Sequence, residues 1–179
     1  MKNILIISTS LRNDSNSQHL ASEFEKGAKA KGHNVQLITL KNKSIKFCQG
    51  CLSCQKTNKC IIKDDTNEIC EKIKNADILV FATPIYYYEM CGQMKTLLDR
   101  CNPIFSTNYN FRDVYLIATA ADNNKSAMDG AIKGMQGWID CFEKAVLKDV
   151  IYGIDLMGSN EAKAHQQLLQ EVYELAYNI

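Results

Sequence analysis

Short runs of apolar and β-branched residues punctuate the chain at 3–8, 35–39, 77–82, 114–118 and 149–154. Several are continuous rather than alternating, the pattern of strands covered on both faces. Between them apolar positions recur with helical spacing over 17–31, 67–74, 92–100, 126–147 and 160–177. This alternation predicts an α/β fold, an open and mostly parallel sheet with helices on both faces. There is no internal repeat or low-complexity tract, and only 2 prolines occur, so residues 1–179 read as one domain.

Such a sheet directs attention to the segments beyond the carboxyl ends of its strands, where ligands bind as the strand order reverses. Here these are 8–17, 83–93 and 119–125. Charge narrows the partners: 21 basic and 20 acidic residues leave a net +1, no basis for binding nucleic acid or an anionic membrane. The opening apolar run, Ile4-Leu5-Ile6-Ile7, is too short for an export signal or a membrane span. A cytoplasmic location is therefore expected.

The first segment reads Ser8-Thr9-Ser10-Leu11-Arg12-Asn13-Asp14-Ser15-Asn16-Ser17 and leads into a helix. A helix N-terminus offers unpaired N–H groups and the positive end of a dipole. The hydroxyls of Ser10, Ser15 and Ser17, the Asn16 amide and the Arg12 guanidinium suit a terminal phosphate monoester. Simple helix capping by Ser15, Asn16 or Ser17 is the competing reading. The segment is neither a Walker A sequence nor a G-x-G-x-x-G fingerprint, which disfavours a nucleoside triphosphatase and a standard dinucleotide fold.

The second segment contains Thr83-Pro84-Ile85-Tyr86-Tyr87-Tyr88-Glu89-Met90-Cys91. Consecutive tyrosines at 86–88 cannot all enter a core, so some should line a cleft or an interface. Lys95 and Asp99 in the next helix have the spacing of an ion pair.

Taken together, Ser10-x-Arg12 with Asn16-Ser17, the Thr83-Pro84-Ile85-Tyr86 turn and the Lys95…Asp99-Arg100 helix resemble the NADPH-dependent FMN reductase family. The resemblance implies a flavodoxin-like three-layer sandwich with a five-stranded parallel sheet of order 2-1-3-4-5, bound FMN, and a homodimer or homotetramer. By position, Ser10, Arg12, Asn16 and Ser17 would hold the FMN phosphate. Pro84, Ile85, Tyr86 and Tyr87 would border the ribityl chain and ring, and Thr119 and Ala120 would meet the ring from the other side. Leu11 and Thr9 stand where the family pattern usually has proline and glycine. The implied activity is transfer of electrons from NAD(P)H through FMN to a small-molecule or protein acceptor, with no side chain required as an acid–base catalyst.

Of 8 cysteines, Cys48, Cys51, Cys54 and Cys60 crowd into the segment 47–65 that follows the second strand. Their C-x2-C-x2-C-x5-C spacing suits a [4Fe–4S] cluster and is similar to the motif of the iron–sulfur flavoproteins, which would make the chain an electron carrier. A zinc site and plain structural or redox-sensitive thiols are the alternatives. Cys70, Cys91, Cys101 and Cys141 read as small core residues. His19, His33 and His165 lack metal-ligand spacing and read as surface or packing residues. Trp138 falls with Met135, Ile139 and Phe142 on a core or interface stripe, and Asp64-Asp65 reads as a helix cap.

Overall fold

The computed structural model describes residues 1–105 and 107–179. Strands β1 (Asn3–Ser8), β2 (Asn34–Thr39) and β3 (Ile78–Tyr86) alternate with helices α1 (Asn16–Ala30), α2 (Ser53–Thr57) and α3 (Thr66–Asn75). A two-residue strand β4 (Glu89–Met90) precedes α4 (Gly92–Arg100), β5 (Asp113–Thr119), α5 (Asp129–Ile139) and β6 (Val146–Gly153). Helices α6 (Glu161–Ala164) and α7 (Gln166–Tyr177) follow. The parallel sheet runs β2-β1-β3-β5-β6, and β4 folds back antiparallel on the end of β3. Without β4, this is the expected order of 2-1-3-4-5 and a flavodoxin-like fold.

Each strand feeds two cores because alternate residues point to opposite faces. Ile4, Ile6, Val80 and Ile117 meet Leu20 and Phe24 of α1 and Val172 of α7. Leu5, Ile7, Leu79, Phe81 and Leu116 meet Ile73 of α3, Leu97 of α4 and Met135 of α5. Trp138 belongs to the second core, with ring centroids 5.6 Å from Phe81 and 4.7 Å from Phe142.

Several boundaries differ from the sequence pattern. The helix expected over 126–147 ends at Ile139, and the strand expected from 149 begins at Val146. Val146 and Leu147 pair with Asp113 and Val114, and a register shift at Val114/Tyr115 skips Lys148. A short apolar pair fits either period, and here the neighbouring strand decides. The final helix breaks at His165, whose Nδ1 accepts the Leu168 N–H at 3.3 Å. Strand β3 continues through Thr83 and Pro84, which pair with Ala118 and Thr119. Proline is tolerated there because β1 has already ended opposite Ala82.

Candidate functional site at the carboxyl edge of the sheet

Ser8 of β1 lies beside Ala82 of β3, and Pro84 beside Thr119 of β5, so three loops emerge side by side from the carboxyl edge. The first enters α1, whose cap is Ser15: its Oγ accepts the Gln18 N–H at 3.2 Å. Capping and phosphate recognition are compatible here. Ser15 and Ser17 share one hydrogen bond of 3.0 Å between their hydroxyls, which leaves one of the two protons for another acceptor. Ser10 is buried, and its Oγ accepts the Arg12 N–H at 3.3 Å; its own proton has no acceptor among the described residues. Among the described residues, the Arg12 guanidinium makes a single 3.4 Å contact, to the Met157 carbonyl, and keeps most of its donors open.

Asn16 is occupied differently. Its Nδ2 donates to the carbonyls of Gly158 at 2.7 Å and Leu156 at 3.3 Å, while its Oδ1 accepts the Ala162 N–H at 3.0 Å. The side chain therefore clamps the α1 entrance to the chain after β6, and only the main-chain N–H remains for a ligand. Two pairings beside this loop have no signal in the sequence. Lys41 Nζ donates to Asn13 Oδ1, and His19 Nε2 lies 2.8 Å from Asn160 Oδ1. Neither pair has a local spacing signal, because each joins residues far apart in the chain.

The second loop is a tight hairpin. Tyr86 pairs with Glu89, leaving Tyr87 and Tyr88 as the two turn residues, both left-handed with φ of 50° and 62°. A two-residue turn of this kind needs positive φ at both positions, normally filled by Asn and Gly. Tyr86, Tyr87 and Tyr88 are all exposed, Tyr87 completely. The hairpin rests on α5, where a Cβ on Gly130 would come within 2.4 Å of the Tyr88 carbonyl. Pro84 and Ile85 are half-buried at its base.

The third loop begins at buried Thr119 and Ala120. Ala120 donates its N–H to the Gly153 carbonyl and accepts from Leu156, both at 2.9 Å, so its main chain is already committed. A Cβ on Gly153 would approach Thr119 Cγ2 to 2.9 Å, so glycine permits this close strand packing. Asp122 links this loop to the hairpin, accepting from the Tyr88 hydroxyl at 3.5 Å.

Beside these loops an apolar groove of about 420 Å³ runs past Leu11, Leu40, Ile45, Phe47 and Gln93 toward the cysteine segment. Cys48 and Cys51 are exposed, Cys60 is half-buried, and Cys54 is buried. Asn102 Nδ2 donates to the Cys54 sulfur at 2.9 Å. Main-chain and hydroxyl hydrogen bonds from Ser53 draw the Cys51 thiol below its ordinary pKa. Among the described residues, no group of three or more His, Cys, Asp or Glu is placed to hold a metal ion. In this arrangement the four thiols do not fit a cluster, since no three of them are brought together around one point.

The segment is anchored by Asp64, which does more than cap the helix that follows. Asp64 accepts from Arg100 Nη1 at 2.7 Å and Nη2 at 3.0 Å, with the two side chains 1% and 0% exposed. It also accepts the N–H groups of Lys46 and Thr66 at 2.9 and 3.1 Å. Burial alone would raise its pKa, but the guanidinium and these donors hold it down to about 2. Arg100 also donates to the Lys46 carbonyl at 2.7 Å, binding the chain after β2 to α4. The Lys95–Asp99 pair is present at 2.6 Å on the surface. Cys70, Cys91 and Cys101 are buried as expected, but Cys141 is exposed.

A parallel β2-β1-β3-β5-β6 sheet, with an α1 entrance rich in hydroxyl and N–H donors at its carboxyl edge, defines a flavodoxin-like protein. The model of the NADPH-dependent FMN reductase family matches residues 2–136, and the chain belongs to that family. An iron–sulfur flavoprotein of Methanocaldococcus jannaschii is 34% identical over 101 residues, 56% of this chain and 52% of that protein. One from Methanosarcina thermophila is 25% identical over 144 residues, covering 80% and 75%. The chain spans about half the length of the M. jannaschii protein and of two Archaeoglobus fulgidus iron–sulfur flavoproteins. An NAD(P)H:quinone oxidoreductase from Methanothermobacter marburgensis superposes with a TM-score of 0.76 at 18% identity, covering 99% of this chain and 95% of that one. At that identity the likeness speaks for the fold alone. Among the described residues, no helix is long and apolar enough to cross a membrane.

Proposed function

We propose that the chain is an FMN-dependent oxidoreductase that takes electrons from NAD(P)H and passes them to a small-molecule or protein acceptor. The observation that carries this reading is the donor set at the α1 entrance: spare hydroxyl protons on Ser10 and the Ser15/Ser17 pair, the open Arg12 guanidinium and first-turn N–H groups. A dianionic phosphate monoester satisfies them all. Ser10, Arg12, Ser17 and the Asn16 N–H hold the phosphate, with the Asn16 side chain fixing the loop from behind. Pro84, Ile85, Tyr86 and Tyr87 form one wall for the ribityl chain and ring, and Thr119 and Ala120 face them from β5. Bound FMN supplies the hydride acceptance and onward electron transfer; the residues around it bind, orient and exclude water. We place the reaction in one cytoplasmic FMN-binding unit that assembles as a homodimer or homotetramer.

A second reading, an iron–sulfur flavoprotein electron carrier, is favoured by the C-x2-C-x2-C-x5-C spacing and by the names of the archaeal relatives. Anaerobic purification followed by quantitation of FMN, iron, acid-labile sulfide and zinc per chain separates the two. FMN without metal, with NADH or NADPH oxidation, supports the reductase. Near-stoichiometric FMN with cubane iron and sulfide supports the carrier. No FMN even after reconstitution would end both.

A further inference from the structure

Behind the phosphate loop lies a polar chain sealed from solvent. Thr9, Thr83 and Cys91 each have zero exposure. The Thr9 N–H and its Oγ1 both reach the Ala82 carbonyl at 2.9 Å. The Cys91 thiol lies 3.2 Å from that hydroxyl oxygen and 3.8 Å from the Thr9 carbonyl, so with the hydroxyl proton used on Ala82 it has two acceptors on Thr9. Cys91 in turn donates its N–H to Thr83 Oγ1 at 3.1 Å, and the Thr83 hydroxyl donates to the Pro84 carbonyl at 2.9 Å. An unbroken path therefore runs from the residue before Ser10 to Pro84, through the residue that opens α4.

We propose that Thr9 and Cys91 are positioning residues that hold the phosphate loop in register with the Pro84 wall, so that the phosphate and ring ends of one FMN are met together. The inference rests on the FMN reading above. Neither residue touches the ligand; each acts through the backbone it fixes. The chain is buried, so its hydrogen bonds have no water to replace them when broken. Loss of one should loosen the loop more than it disturbs the ring wall, which β3 and β5 hold independently through Thr83–Ala118 and Pro84–Thr119 pairing.

The test is fluorescence titration of flavin-free protein with FMN and, separately, with riboflavin, which lacks the phosphate. Thr9→Val and Cys91→Ala should each weaken FMN about fivefold, the size of one neutral hydrogen bond, and change riboflavin binding less than about twofold. Cys91→Ser, which keeps a donor, should restore most of the FMN affinity, and the double variant should lose less than the product of the single losses. Equal weakening of both flavins, or unchanged FMN affinity, would overturn the proposal. Should Thr9→Val fail to give a cooperative thermal melt, the Cys91→Ala and Cys91→Ser pair carries the same comparison. Wild-type protein that binds FMN no more tightly than riboflavin would instead remove the phosphate reading on which the inference stands.

Discussion

Replacing Asp64 by Asn tests the anchor of the cysteine segment. The carboxylate accepts four hydrogen bonds, two from Arg100 and one each from the N–H groups of Lys46 and Thr66. Its pKa falls from 3.8 to about 2, which converts to about 2 kcal/mol of preference for the charged form. With side chains 1% and 0% exposed, surface screening takes little from this figure. Asn adds a further cost, since its NH₂ faces donors where an oxygen accepted two bonds and leaves the Arg100 charge unpaired. The total loss should be about 3–5 kcal/mol, read from urea denaturation near neutral pH. The folded pKa lies below the unfolded one, so this stabilisation is full above about pH 5 and disappears as pH falls toward 2. The gap between wild type and Asp64→Asn should therefore narrow by about 2 kcal/mol between pH 6 and pH 2. A gap of the same size at both pH values would refute the electrostatic account.

Two further outcomes follow from the site. Arg12→Ala should weaken FMN roughly tenfold or more, as loss of charge-assisted hydrogen bonds predicts, while sparing riboflavin; parallel titrations of the two flavins check this. Replacing Tyr87-Tyr88 by Asn-Gly, the residues this turn favours, should raise stability by about 1 kcal/mol through relief of two left-handed tyrosines; thermal melts with no rise would show that the aromatic contacts outweigh the strain.

The β-branched runs and helical periods determined the layer architecture, because apolar residues at period 2 or 3.6 have few ways to be buried together. The carboxyl-edge rule points to 8–17, 83–93 and 119–125 from strand order alone. Local signals also sufficed for the Ser15 cap and the Lys95–Asp99 pair, each confined to a few residues. Where a stretch such as 146–147 satisfied either period, its strand identity came only from pairing with Asp113 and Val114. The C-x2-C-x2-C-x5-C motif showed the same boundary: spacing named a set of chemistries, while the placement of Cys54 against Asn102 depended on the fold.

Local patterning thus carries the architecture, the edge where chemistry gathers and the donor types at the first loop. Tertiary structure decided how those donors are spent. It committed the Asn16 amide to Leu156, Gly158 and Ala162, gave Asp64 buried Arg100 as a partner besides the first N–H of α3, and joined Thr9 to Cys91. Each of these links residues between 36 and 146 positions apart. A hydrogen bond depends on position and direction to within tenths of an ångström, which no local period encodes until the chain has closed on itself.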